Sequence, residues 1–245
     1  MSEKGNQAVK TVSFMMLITL FGKILGMVRE QLLAANYGTD MQAAAFLLAS
    51  RIPRTFFDVI FASAISASFI PVFVEYLQKK GRQEAFSLAN RFITMISTVT
   101  LLMMLLGMAF AKPLTLLIAP GYDVETVTLC VGLLRMLFPT MLFTAVAFSF
   151  VGILQSLEEF NVPAALSVVS NGVLILYYIF FNEKFGILGL TVAFLIGWAM
   201  QAVIQIPSLW KKGYHYRPDF HFKDEGLRKI GRLMLPVMVS TWIQP

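Results

Sequence analysis

Six ionisable side chains stand inside stretches that otherwise read as hydrocarbon-soluble. Lys23, Arg29 and Glu30 lie in one stretch, and Arg51, Arg54 and Asp58 in the next. A charge at mid-bilayer costs about 2.5–3.5 kcal/mol on insertion scales, so such residues face water, a partner or a charged cargo. Their spacing sorts them. Arg51, Arg54 and Asp58 sit at i, i+3 and i+7 and share one helix face, as Lys23 and Glu30 do. Arg29 falls about 120° around an ideal helix from Lys23 and next to Glu30. Bases outnumber acids here by four to two, whereas ion pairing alone would need balance. A surplus of cation inside a membrane fits an anionic substrate group, and the fork of arginine donors suits phosphate. Arg29–Glu30 and Arg54–Asp58 pairs, with Lys23 snorkelling to an interface, explain any one residue as well; they explain all four bases together less well. Arg135, read as near the start of a helix, is assigned to an interface.

Other chemistries lack their residues. The sequence has no phosphate-binding glycine loop for an ATP motor and no Ser/His/Asp grouping, and no cofactor is implied. His215 and His221 sit in a charged loop without cysteine partners, a weak metal signal. The single cysteine, Cys130, cannot form an intrachain disulfide and reads as an apolar filler.

The elements that position these charges follow from composition. The chain has 245 residues, 57% hydrophobic and 14% charged, against about a quarter charged in soluble domains. Phe92–Ala111, Met136–Leu157, Phe160–Asn182 and Phe185–Trp210 carry no charge, and each reaches the roughly 18–20 residues that span 30 Å of hydrocarbon. The expected architecture is an all-α polytopic membrane protein. Its first 210 residues form a transmembrane lobe of helices at about 11–36, 41–76, 85–118, 124–156, 162–181 and 187–210. Residues 211–226 form a basic cytoplasmic loop, and 227–245 begin a seventh helix that is cut mid-span, so a C-terminal lobe is expected to follow. Pro53 and Pro71 bend the second segment, which is too long for one straight crossing. Gly22 and Gly26, and the Gly186–Leu190 stretch, suit close helix packing.

Charge also sets the orientation. The N-terminus and the 2–3, 4–5 and 6–7 connections hold thirteen basic residues, and the alternate connections hold only Lys112 and Lys184. The positive-inside rule then places the N-terminus in the cytoplasm. The net charge of +6 is thus a topology signal and does not point to nucleic acid.

Several short motifs occur in an order that resembles the MurJ (MviN) family of lipid II flippases. Phe21-Gly-Lys-Ile-Leu-Gly-Met-Val-Arg-Glu30 resembles the family's first-helix motif. Phe69-Ile-Pro71, Ala119-Pro-Gly-Tyr122, Leu137-Phe-Pro139, Gly152-Ile-Leu-Gln-Ser156, Phe160-Asn-Val-Pro-Ala164 and Ser170-Asn171 resemble later ones. The resemblance implies about fourteen helices in two lobes around a cationic cavity, related to the multidrug-extrusion transporters, moving lipid II between leaflets of the bacterial cytoplasmic membrane by alternating access. It implies Lys23 and Arg29 as cavity residues, with Lys23 in place of the usual arginine and Glu30 in place of aspartate. Where the family often has an arginine pair the chain has Phe57 and Asp58, and where it has an acid near the start of helix two the chain has Ala44.

The expected function is therefore a flippase, not an enzyme. Its partners are lipid II or a similar polyprenyl-pyrophosphate-linked saccharide, membrane lipids and the C-terminal lobe. Lys23, Arg29, Glu30, Arg51, Arg54 and Asp58 would contact substrate. The alternatives are export of another polyprenyl-linked polysaccharide precursor, a multidrug-type exporter, which would favour acidic cavity residues, and a membrane-embedded transferase, which would need an acidic or histidine-bearing loop. Single cysteines labelled from outside the cell are expected to react in connections 1–2, 3–4 and 5–6. Reaction of Lys79→Cys or Lys212→Cys in intact cells would reverse the orientation.

Overall fold

The computed structural model describes residues 3–57 and 65–243, and all regular structure among them is helical. The helices are α1 Glu3–Tyr37, α2 Met41–Phe57, a π turn Ile65–Phe69 leading into α3 Ile70–Lys79, α4 Arg82–Ala109, α5 Ala111–Ile118, α6 Val124–Leu137, α7 Thr140–Ser156, the single turn α8 Asn161–Ala164, α9 Leu166–Phe180, α10 Asn182–Val203, α11 Ile206–Lys211 and α12 Glu225–Ile243. Five spans among the described residues are long and apolar enough to cross a membrane: Val12–Tyr37, Arg82–Ala109, Val124–Ser156, Asn161–Phe180 and Asn182–Lys211. The expected bent crossing over 41–76 corresponds to α2 and to the π turn with α3. Residues 58–64 between them, including the candidate Asp58, lie outside the described residues.

Proline accounts for departures from single long helices. The segment expected over 85–118 is two helices that meet at Phe110, because Pro113 has no N–H for the carbonyl four residues back. Pro139 separates α6 from α7 inside one span in the same way, and Pro207 opens α11 after a break at Ile204–Gln205. Arg135 is placed in the last turn of α6, not near a helix start. Its Nε donates to the Met108 carbonyl at 3.2 Å, one of the terminal carbonyls of α4 that lack a helical partner. The start of α6 is capped by Asp123, which accepts the Glu125 and Thr126 N–H groups. The Thr126 hydroxyl and backbone hold that carboxyl below the usual range.

Two apolar clusters form the interior. One joins the π turn, α3, α4 and α7 through Phe69, Phe73, Phe92 and Ile153; the other joins the end of α1 to α2, α6, α9 and α10 through Phe46, Leu134, Leu174 and Leu190. Phe69 stacks on Phe92 with centroids 4.4 Å apart. Gly107 permits a close crossing, since a Cβ there would stand 2.2 Å from the Phe138 ring. Outward-facing Leu101, Leu102, Leu105 and Leu106 on α4 and Leu176, Ile179 and Phe180 on α9 are exposed, as suits a hydrocarbon surround.

The connection from α11 to α12 is strapped to one turn of α4. Tyr214, 1% exposed, donates to Asn90 Oδ1 at 2.8 Å, and the Arg217 N–H donates to the same oxygen at 3.2 Å. The Asp219 N–H donates to Thr94 Oγ1 at 3.1 Å. Arg91 bridges Asp219 at 2.9 Å and Asp224 at 2.7 Å. Asp224 also accepts the Leu227 N–H at 3.1 Å and so caps α12. The segment is rich in bases, yet its acids anchor it. The His221 backbone N–H, then the His221 ring and Arg91, hold the Asp219 carboxyl below the usual range. A depressed carboxylate pKa stabilises the folded state above the unfolded pKa and loses that contribution as pH falls through the folded value. The strap is therefore expected to stay docked at neutral pH and to loosen in acid. Tyr214→Phe should cost about 0.5–1.5 kcal/mol through the lost hydrogen bond, and Tyr214→Ala about 3–5 kcal/mol through the cavity left behind. Melting in detergent checks both, with proteolysis inside 212–224 marking release of the strap.

Candidate functional site

The site is built where α1 lies against α9. Gly22 is what lets them approach: a Cβ there would stand 2.2 Å from Ser167 Oγ and 3.3 Å from its Cβ. At Gly26 a Cβ would stand 3.5 Å from Asn171 Nδ2. Gly189, for its part, abuts the Tyr177 hydroxyl, whereas Gly186 has φ of +54°, so it supplies a turn and not a packing surface. Asn171 uses the space between α1 and α9. Its Nδ2 donates to the Gly22 carbonyl at 3.1 Å, and its Oδ1 accepts from Arg29 Nη1 at 3.0 Å. One buried amide thereby fixes both the backbone of α1 and the head of a cation on it. The far end of α1 is tied down as well: Tyr37 donates to Asn182, which donates to Asn36 at 2.9 Å. Gly38, at φ of +56°, then turns the chain into α2.

Two cavities open beside this seam. One of about 480 Å³ lies among α1, α2, α9 and α10 and is lined by Arg29, Glu30, Ser50, Arg51, Arg54, Tyr178 and Trp198. The other, of about 640 Å³, is lined by Lys23, Arg29, Arg54, Gln155, Ser167, Asn171, Trp198 and Gln201. Arg29, Arg54 and Trp198 border both, so the two adjoin as one trough. Five of the six candidates selected from sequence line it; the sixth, Asp58, lies outside the described residues.

The cations differ in how they are held. Arg29 reaches Glu30 at 3.2 Å on its exposed side and the Asn171 amide on its buried side. The Arg54 guanidinium stands 5.9 Å from the centre of the Trp198 ring, a cation–π distance. No side chain among the described residues bonds to Lys23 or Arg51. The trough thus presents four cations and one described acid, a field that would attract and orient an anion. Phe57, where the resemblance implies arginine, is 1% exposed and packs against Phe148, so that position belongs to the core.

Sequence reasoning gave no site role to Asn171, Trp198, Gln155 or Gln201. Asn171 was visible as an amide inside the charge-free run Phe160–Asn182, where a polar side chain needs a partner.

Comparison with known proteins gives a consistent picture. A family model described as "Lipid II flippase MurJ" matches residues 33–244. The probable lipid II flippase MurJ of Buchnera aphidicola subsp. Acyrthosiphon pisum is 31% identical over 228 residues, covering 91% of this chain and 45% of the relative. A solved structure titled "Lipid II flippase MurJ, inward closed conformation" superposes with a TM-score of 0.75 at 26% identity, over 92% of this chain and 48% of that one. The Vibrio cholerae MATE transporter VcmN in its bent form superposes with a TM-score of 0.76 at 16% identity, over 97% of this chain and 55% of that one, a likeness of fold alone. The chain therefore spans about half the length of the proteins it matches, and its architecture is a lobe of the MurJ/MATE kind.

The seam between α1 and α9 makes a direct prediction. Gly22→Val should cost about 1–3 kcal/mol through overpacking and break the bond from Asn171 to Gly22. Gly132→Ala, with nothing within 4 Å of its added Cβ, should be neutral or stabilising by up to about 1 kcal/mol. Melting of both variants in detergent separates a crowded glycine from a free one.

Proposed function

The chain belongs to the lipid II flippase MurJ family, and on that premise we propose that its trough carries the pyrophosphate of a polyprenyl-linked saccharide, in first place lipid II, between membrane leaflets. The observation that supports this reading is the gathering of Lys23, Arg29, Arg51 and Arg54 along one trough in spans that are otherwise apolar. A cation in hydrocarbon costs about 2.5–3.5 kcal/mol on insertion scales, so a group of them calls for water or an anion beside it. A pyrophosphate crossing the membrane faces the mirror-image cost. Bringing the two together lowers both, and selects anionic carriers over neutral lipids. Release needs the grip to stay moderate, and Lys23 fits that need: its ammonium is a point charge where a guanidinium would offer a two-pronged hold.

In this reading the protein is a transporter working by alternating access, with its N-terminus in the cytoplasm and a C-terminal lobe closing the other wall of the trough. Glu30, and Asp58 on the segment after α2, would tune the field of the arginines. Export of another polyprenyl-linked polysaccharide precursor would use the same cations. A multidrug-type exporter of cations is disfavoured by the excess of base.

Complementation of a strain depleted of its lipid II flippase, using the full-length gene, tests the reading. Arg29→Ala should abolish growth at normal protein levels, and Lys23→Arg should support it. Full growth with both Arg29→Ala and Arg51→Ala would place the substrate site elsewhere.

A further inference from the structure

The cavity beside Lys23 is lined by neutral polar groups as well as by cations, and the neutral ones differ in whether they are already bonded. Asn171 is spent on Arg29 and Gly22, and the Ser170 hydroxyl on the Leu166 and Ser167 carbonyls. The side-chain amides of Gln155 and Gln201, by contrast, bond to no group among the described residues. Gln201 is 6% exposed, and what exposure it has is toward the cavity. The amide atoms of Gln201 are not among the fully buried unpartnered atoms of the described residues, so they open to the cavity and can bond to what fills it. The backbone beneath them is fixed: Gln205 Nε2 donates to the Gln201 carbonyl at 2.8 Å and to the Ala147 carbonyl at 3.0 Å. Gln201 therefore offers a donor and an acceptor from a rigid base into a space of about 640 Å³, within the range that small-molecule sites occupy, roughly 300–1,000 Å³.

We propose that the amides on this side of the trough form a subsite for the hydroxyl-rich, uncharged part of the cargo, the sugar next to the pyrophosphate, with Gln155 and Gln201 as its specificity-determining residues. A carboxamide matches a sugar hydroxyl because each both donates and accepts. Trp198, at the junction of the two cavities, adds an apolar ring with a polar edge, suited to a ring that is apolar on its C–H face. Arg29 and Arg54 stand at the same junction, so a pyrophosphate held there lies beside the cavity that Gln201 lines. The proposal rests on the pyrophosphate reading above for where the cargo is anchored.

Equilibrium binding to the purified full-length protein tests it with two probes: undecaprenyl pyrophosphate alone, and the same carrier bearing a disaccharide. Gln201→Leu and Gln155→Leu are each expected to weaken the saccharide-bearing probe about tenfold, the loss of a hydrogen bond that leaves its partner unpaired, with the bare carrier bound as before. Gln155 is only partly buried, so its variant keeps the test open if Gln201→Leu fails to fold. If folded variants weaken neither probe, or both equally, the subsite is overturned. Arg29→Ala is expected to weaken both probes; if it weakens neither, the pyrophosphate reading fails alone, and the subsite is still judged by the difference between probes.

Discussion

Arg29 donates to one end of the Asn171 amide, and the other end of that amide donates to the Gly22 carbonyl. Most of the trough follows from this pin. With Gly22 abutting Ser167, α1 lies close enough to α9 for Asn171 to reach it. With Arg29 held at its buried edge, the guanidinium stays in the trough and cannot turn outward. The partner on that side is neutral, so it orients the cation without cancelling it. A carboxylate at 171 would hold the same arginine and remove half the reason for having it there.

The strap between α11 and α12 solves the opposite problem. There Arg91 is paired with two carboxylates, and Lys229 and Lys79 share Glu75. Those charges lie at the end of the bundle, and neutralising them binds one segment to another. Within the bundle, the Asn171 amide holds Arg29 on its buried side and the Trp198 indole stands beside Arg54. The same residue type is thus structural in one place and a candidate ligand in the other, and the chemistry of its partner makes the difference. A neutral cargo group alongside the cations would need a third kind of surface, and the amides of Gln155 and Gln201, bonded to no group among the described residues, would supply it.

Much of this was legible in the residues. Charge-free runs mark the apolar spans, and helical spacing puts the cations of α1 and α2 on faces that do meet along one trough. Breaks within spans were less legible: Pro113, Pro139 and Pro207 stand in plain view, but a proline shows where a helix weakens without showing whether it bends or stops. Arg135 was misplaced for that reason, because the end of α6 at Pro139 cannot be seen until α4 offers it the Met108 carbonyl. Asn171 was quoted only within a motif. Its role depends on a glycine 149 residues earlier, and no local pattern carries a pairing of that range. The strap was hidden by composition: Lys212, Arg217 and Lys223 draw attention to orientation, while Asp219 and Asp224 make its ion pairs with Arg91.

The distance along the chain between Arg29 and Asn171 also bears on how the protein is made. The two are 142 residues apart. At synthesis rates of about 5–20 residues per second, the ribosome finishes α9 roughly seven to thirty seconds after the cations of α1 leave it. During that interval α1 has no neutral amide to receive its guanidinium and no second wall to keep its charges wet. The insertion machinery or the lipid headgroups must shelter the first helix until the ninth arrives, and α1 can take its final depth in the membrane only then.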